Sequence, residues 1–154
     1  VVKPTHGYGG KNIFFVNKRT KKREISRYVK KHEHVMVQKF LPQIKHGDKR
    51  IFIIGGVIKG AIRRIPPKGS IVSNIGQGGK AVKTTLTKGE YRIAKIVASN
   101  LKKKQIVFAG IDLISNYLTG DINITSPTGL KNYKDLTGID LAFDFWNYLE
   151  KRKK

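Results

Sequence analysis

Asp and Glu together number only ten in 154 residues, so a carboxylate inside an apolar run needs a reason. Asp112 lies in Phe108-Ala-Gly-Ile-Asp-Leu-Ile114, and Asp121 with Asn123 lies in Asp121-Ile-Asn-Ile-Thr125. Residues two apart on a strand share a face, so Asp121 and Asn123 point the same way. If the two runs pair as a hairpin, Asp112 joins them. Two carboxylates and an amide oxygen are hard ligands suited to a Mg²⁺ ion that nucleotide phosphates also hold. The competing reading has Asp112 accepting hydrogen bonds from a turn and the Asp121/Asn123 face solvated. A calcium loop is disfavoured, because the spaced Asp/Asn series ending in Glu is absent.

Two glycine-rich segments carry cations. Lys3 is followed closely by Gly7-Tyr-Gly-Gly10, which brings an ammonium and sterically open backbone N–H groups together. Such a loop can close over phosphates, or it is a hairpin turn with incidental glycines. It matches neither familiar nucleotide fingerprint, since the Lys precedes the glycines and the Gly-x-Gly-x-x-Gly spacing is missing. Asn74-Ile-Gly-Gln-Gly-Gly-Lys80 also reads as a flexible solvent loop. His32 and His34 are wrongly spaced for a shared helical metal face and read as solvated. His6 and His46 fall in loops beside the phosphate-binding candidates, and no Ser occupies a Gly-x-Ser-x-Gly elbow.

The elements that must position these residues follow from periodicity and turn chemistry. Residues 1–4 and 12–16 read as strands joined across the first glycine loop. Residues 21–34 read as a surface helix, and residues 35–41 as a strand entering the core. Gly55-Gly56 between residues 50–54 and 57–65 predicts a tight antiparallel hairpin. Residues 66–83, rich in Pro and Gly, form a long loop and a candidate lid. A helix is expected over 87–103, strands over 105–113 and 117–125 with a turn at Ser115-Asn116, and an amphipathic helix over 139–151. Hairpins alternating with helices imply an α+β fold with a mainly antiparallel sheet, in one domain over 1–154.

Composition bounds the function more loosely. The formal charge is +22, which attracts any polyanion. Lys outnumbers Arg 24 to 8 and is dispersed along the chain, as on a solvated surface. No apolar run is long enough to span a bilayer. Cys is absent, which removes disulfides, thiolate metal sites and a cysteine nucleophile, and agrees with a cytoplasmic location.

Taken in order, the motifs resemble prokaryotic-type glutathione synthetase over nearly the whole chain. They are Val2-Lys-Pro4 with Gly7-x-Gly-Gly10, Gln38-Lys-Phe-Leu-Pro42, Lys45-His-Gly-Asp-Lys-Arg50, Ala61-Ile-Arg-Arg-Ile-Pro66, Asn74 with Gly78-Gly79, Phe108-Ala-Gly-Ile-Asp112 and Ile122-Asn-Ile-Thr-Ser-Pro-Thr128. The resemblance implies the ATP-grasp fold and the joining of γ-glutamylcysteine to glycine through an acyl phosphate, using ATP with Mg²⁺, or Mn²⁺ in its place. It implies that Lys3 with Gly7, Gly9 and Gly10 clamps phosphate. Gln38, Lys39, Phe40 and Leu41 would meet the adenine, and Asp48 would also serve ATP. Arg50, Arg64 and Asn74 would act at the transferring centre, Asp112, Asp121 and Asn123 would take metal, and Ser126, Pro127 and Thr128 would approach the peptide substrate. Phosphoryl transfer fits such a set, because it needs positioned cations and metal rather than a protein nucleophile.

The chain departs from the family pattern at several positions. Asp121 replaces Glu, Gly120 is an extra residue before it, Val72 stands where Arg is usual, and Lys80 and Val82 stand for Arg and Glu. The expected consequences are a weaker metal site and a lid that grips substrate less. The chain opens at Val1 without Met and is expected to be a carboxyl-terminal fragment, binding nucleotide weakly and turning over slowly or not at all by itself. The complete enzyme is expected to be a homo-oligomer acting on small molecules, with no membrane or nucleic-acid partner. The rival readings are another ATP-grasp ligase with a different amino acid or peptide substrate and, from another class, a basic nucleic-acid-binding module.

Overall fold

The computed structural model describes residues 1–6 and 10–152, with residues 119 and 120 in backbone only. The chain divides into two compact units, Val1–Pro42 and Gln43–Lys154.

The first unit is built on a two-stranded antiparallel sheet of β1 (Val2–Pro4) and β2 (Val35–Val37), with helix α1 (Lys22–His32) between them in sequence. The expected hairpin of residues 1–4 with 12–16 reduces to one antiparallel bridge, Val2 to Phe14. Three successive register pairs go instead to β2, and the Gln38 N–H continues the pairing to the Val1 carbonyl at 2.9 Å. Asn12 has φ 59°, a left-handed turn that swings the segment off the strand after a single pair. The strand expected over 35–41 stops at Val37 and does not enter a core, since Met36 and Val37 are exposed. The ring of Tyr28 stacks on Phe14 at 5.2 Å and fastens α1 to this unit.

The second unit is a five-stranded antiparallel sheet in the order β5-β4-β3-β6-β7. Its strands are β3 (Asp48–Ile54), β4 (Val57–Ile65), β5 (Lys80–Lys83), β6 (Phe108–Ile114) and β7 (Tyr117–Asn123). The glycine turn at Gly55-Gly56 and the turn after Ile114 form as their residue types require. Strand alternation gives the sheet two apolar faces. Ile51, Ile53, Ile111 and Leu113 pack under Ala94, Ala98 and Leu101 of helix α2 (Lys88–Lys103). Phe52, Ile54 and Ile62 pack on the opposite face with Tyr133 of α3 (Leu130–Thr137) and Leu141 of α4 (Leu141–Arg152).

Two features differ from the sequence expectation. The loop expected over 66–83 surrenders its last residues to β5, where Ala81 pairs with Arg64; the strand is short and bounded by lysines, so its pattern is faint. Helix α3 has no counterpart in the sequence reading, because only eight residues lie between Gly129 and Gly138, both with positive φ. The last helix begins at Leu141 rather than Ile139, since the Asp140 carboxylate accepts from the Ala142 and Phe143 N–H groups at 3.0 and 3.3 Å and so caps it.

Candidate active site

One end of the sheet face that carries α3 and α4 is charged rather than apolar. Along β3 the residues facing that side are Asp48, Arg50, Phe52 and Ile54, and register places Asp48 opposite Arg64 of β4 and Arg50 opposite Asp112 of β6. Cross-strand partners stand side by side, so the four groups form one row. The Arg50 guanidinium donates through Nε and Nη2 to both Asp112 oxygens, at 2.5 and 2.8 Å. Arg64 donates Nε to Asp48 Oδ1 at 2.9 Å and Nη2 to Asp48 Oδ2. The same Arg64 Nη2 lies 2.8 Å from Asp112 Oδ2. Two bidentate forks and a diagonal link thus join two positive and two negative groups, none more than 6% exposed. Equal charge and full pairing are what make such burial tolerable.

Two glycines give this row its space. A Cβ at Gly110 would stand 3.0 Å from both Arg50 Cδ and Pro127 Cβ, so the missing side chain lets the arginine cross β6 and seats Pro127 over the strand. Gly47 has φ +87°, and a Cβ there would sit 2.3 Å from the Arg64 carbonyl oxygen, so the entry to β3 beside Asp48 requires glycine. Burial favours loss of the Arg64 proton, but the hydrogen bonds it donates to Asp48 and the charges of Asp112 and Asp48 outweigh it and raise the pKa above the ordinary arginine value. The guanidinium is therefore a permanent, oriented cation, the kind of group that recognises phosphate or carboxylate oxygens.

The other expected site residues fall as follows. Thr128 joins the row through its carbonyl, which accepts from Arg50 Nη1 at 3.1 Å; Pro127 is buried and Ser126 exposed. Asn123 pairs in register with Gly110 and so shares the face of Asp112. Its Oδ1 accepts from the Thr125 and Ser126 N–H groups, both at 3.1 Å, and shapes the turn that delivers residues 126–128. Asp121 is exposed and lies where the β6–β7 register shifts between Ile111 and Leu113. Residues 119–121 there face the single residue Asp112, a bulge that includes Gly120. Asn74 Oδ1 accepts from Gly76 N–H at 2.8 Å and caps a short 3-10 turn.

In the first unit, Lys3 is half-buried in β1 and Gly10 has φ 74°; Gly7 and Gly9 lie outside the described residues. The Gln38 carbonyl accepts from the Val1 ammonium at 2.8 Å. Lys39 is exposed, Leu41 half-buried, and the Phe40 ring meets Phe15 edge-on at 5.8 Å.

Donor chemistry decides whether a divalent cation fits. Asp112, Asp121 and Asn123 are hard oxygen donors on adjacent strands, which suits Mg²⁺. Both Asp112 oxygens are turned to arginine, so binding the ion there requires the guanidinium groups to shift their hydrogen bonds elsewhere. The described residues contain no group of three or more His, Cys, Asp or Glu gathered as for a metal.

One charged pair escaped the sequence reading. Lys49, on the α2 face of β3, donates to Glu90 Oε2 at 2.6 Å and to the Thr85 carbonyl at 2.8 Å, and both side chains are buried. The Glu90 carboxylate also accepts from the Thr87 N–H at 2.8 Å while Thr87 Oγ1 accepts from the Glu90 N–H, completing a capping box at the start of α2. Thr-x-x-Glu ahead of the apolar periodicity of α2 was the available signal; nothing in the sequence named Lys49 as its partner.

Residues 1–138 match the family described as prokaryotic glutathione synthetase, ATP-grasp domain. A glutathione synthetase of Rhodopseudomonas palustris is 38% identical over 160 residues, covering 99% of this chain and 50% of the relative. One from Prochlorococcus marinus subsp. pastoris is 41% identical over 145 residues, covering 92% and 47%. The chain spans about half the length of the curated relatives it matches. Among the described residues no helix is long and apolar enough to cross a membrane. The match over residues 1–138, with relatives 38% and 41% identical along the chain, shows that the chain belongs to the prokaryotic glutathione synthetase family and matches it in the ATP-grasp domain.

Proposed function

We propose that the chain serves the ATP-dependent joining of γ-glutamylcysteine to glycine, as the carboxyl-terminal part of a glutathione synthetase. The observation that carries the reading is the buried Asp48–Arg64–Asp112–Arg50 row ending at Thr128. Arg50 and Arg64 steady the phosphoryl group and the carboxylate that receives it, while Asp48 acts by holding Arg64 rather than by touching the nucleotide. Lys3 with the Gly7 to Gly10 loop serves phosphate, and Gln38 to Leu41 serve the adenine. Asp112, Asp121 and Asn123 would hold Mg²⁺, which supplies charge neutralisation on the phosphates when bound. Residues 126–128 orient the peptide, and Asn74, which caps the 3-10 turn at residues 75–77, acts with the two arginines at the transferring centre.

The chemistry balances without a protein nucleophile. The cysteinyl carboxylate of γ-glutamylcysteine attacks the γ-phosphorus and ADP leaves; the glycine amine then attacks the acyl carbon, losing a proton as phosphate departs. Fixed cations stabilise both charged transition states. The reading includes a cytoplasmic location and a homo-oligomeric complete enzyme.

An ADP-release assay tests it. We expect slow release by the 154-residue chain that depends on both γ-glutamylcysteine and glycine, and that disappears in Arg50→Gln while far-ultraviolet circular dichroism is retained. Release indifferent to either substrate contradicts the reading. Equal support by other amines in place of glycine points to a different ATP-grasp ligase.

A further inference from the structure

The positive charge of this chain is not evenly answered by acids. Residues 18–31 hold eight cations, Lys18, Arg19, Lys21, Lys22, Arg23, Arg27, Lys30 and Lys31, against the single acid Glu24. All eight are exposed, and among the described residues none forms an ion pair. In the second unit, by contrast, Lys59, Lys131 and Lys134 are met by Asp144, Asp135 and Asp140. Beside the cationic helix lies a cavity of about 240 Å³ lined by Phe14, Glu24, Arg27, Tyr28 and Lys31. Its aromatic wall is the stacked Phe14–Tyr28 pair, with ring planes 20° apart.

We propose that α1 and this cavity bind single-stranded nucleic acid, independently of the ligase reading. A cationic track beside an aromatic wall is the arrangement that takes phosphates along one line and an unstacked base into a pocket. The eleven residues of α1 extend about 16 Å, enough for roughly three phosphates. The remaining oxygen of Glu24, whose Oε2 is taken by the Lys21 N–H at 2.7 Å, can accept from a base N–H.

A membrane surface is the other polyanion such a helix could meet, and the packing argues against it. Insertion needs a free apolar helix face. Tyr28 is stacked on Phe14 and donates to the Asn12 carbonyl, and Ile25 is half-buried, which leaves Val29 as the one exposed apolar side chain of α1. A duplex would leave the cavity unused, because its bases are stacked and paired.

The test is fluorescence anisotropy of a labelled uridine dodecamer with the 154-residue chain between 50 and 300 mM KCl. Saturable binding is expected, with a salt slope near 2, from about 0.7 per phosphate over three contacts. Arg27→Gln with Lys31→Gln should weaken binding about tenfold and lower the slope by about 1.4. Lys102→Gln with Lys103→Gln, on α2, removes the same charge and should change affinity less than about twofold. Equal loss in the two variants would show attraction by net charge alone and overturn the proposal. Equal or tighter binding to a duplex of the same length, or to vesicles with 30% phosphatidylglycerol, overturns the single-strand assignment. Displacement by MgATP would place the oligonucleotide on the nucleotide-binding residues and also overturn it.

Discussion

Replacing Asp112 with alanine should destabilise the chain by about 3–5 kcal/mol, the range for breaking a buried ion pair from one side. The change leaves Arg50 and Arg64 buried with, among the described residues, only Asp48 and the Thr128 carbonyl to answer two positive charges. For a domain of this size that loss lowers Tm by about 10 °C. Urea unfolding should show the midpoint falling with the slope unchanged. Asp112→Asn keeps the shape and one acceptor oxygen, so it should cost less stability than alanine while still removing the charge. A stability loss below about 1 kcal/mol in Asp112→Ala would mean that the arginines find other partners and that the row is not a rigid unit.

Glu90→Ala should have a comparable effect on the opposite face. It strips Lys49 of its buried carboxylate and opens the first turn of α2, again about 3–5 kcal/mol. Burial favours the protonated acid, but the Lys49 hydrogen bond and the Thr87 backbone outweigh it and hold the Glu90 pKa below the ordinary glutamate value. A depressed folded-state pKa gives stability that is complete above the unfolded value, about 4.3, and lost as pH falls through the folded one. The difference in unfolding free energy between the parent chain and Glu90→Gln should therefore be constant near neutrality and shrink below about pH 4. Lys49→Met combined with Glu90→Leu should recover most of the loss, because an apolar pair of similar volume avoids desolvating charge. A deficit that grows on acidification would contradict this assignment.

Much of the arrangement was legible in the residues. The Gly55-Gly56 turn fixes one hairpin, and an Asp inside Phe108-Ala-Gly-Ile-Asp112 marks the strand where the two arginines converge. What the sequence withheld is partnership. Asp112 reads alone as a metal ligand, and only the register of three strands reveals that Arg50 and Arg64 already occupy its oxygens. Asp48 reads as a nucleotide contact, and nothing in the sequence names Arg64, directly opposite, as its partner. Lys49 stands between two site residues in sequence yet belongs to the other face, a consequence of strand alternation that acquires meaning only once α2 covers that side. The short elements β5 and α3 were invisible for a different reason: four and eight residues are held by tertiary packing rather than by their own periodicity.

The residues of the row meet opposite demands. Each arginine holds an aspartate; on the proposed function, bound nucleotide would draw the arginines to phosphate oxygens and free Asp112 to help hold Mg²⁺. We propose that such a site would work by exchange of ion-pair partners within one row.

Calorimetric titration of MgATP into the 154-residue chain and into Asp112→Asn tests this directly. Saturable binding is expected that depends on Mg²⁺ and weakens at least tenfold in the variant. Equal affinity in the two proteins, or equal affinity with and without Mg²⁺, would contradict it.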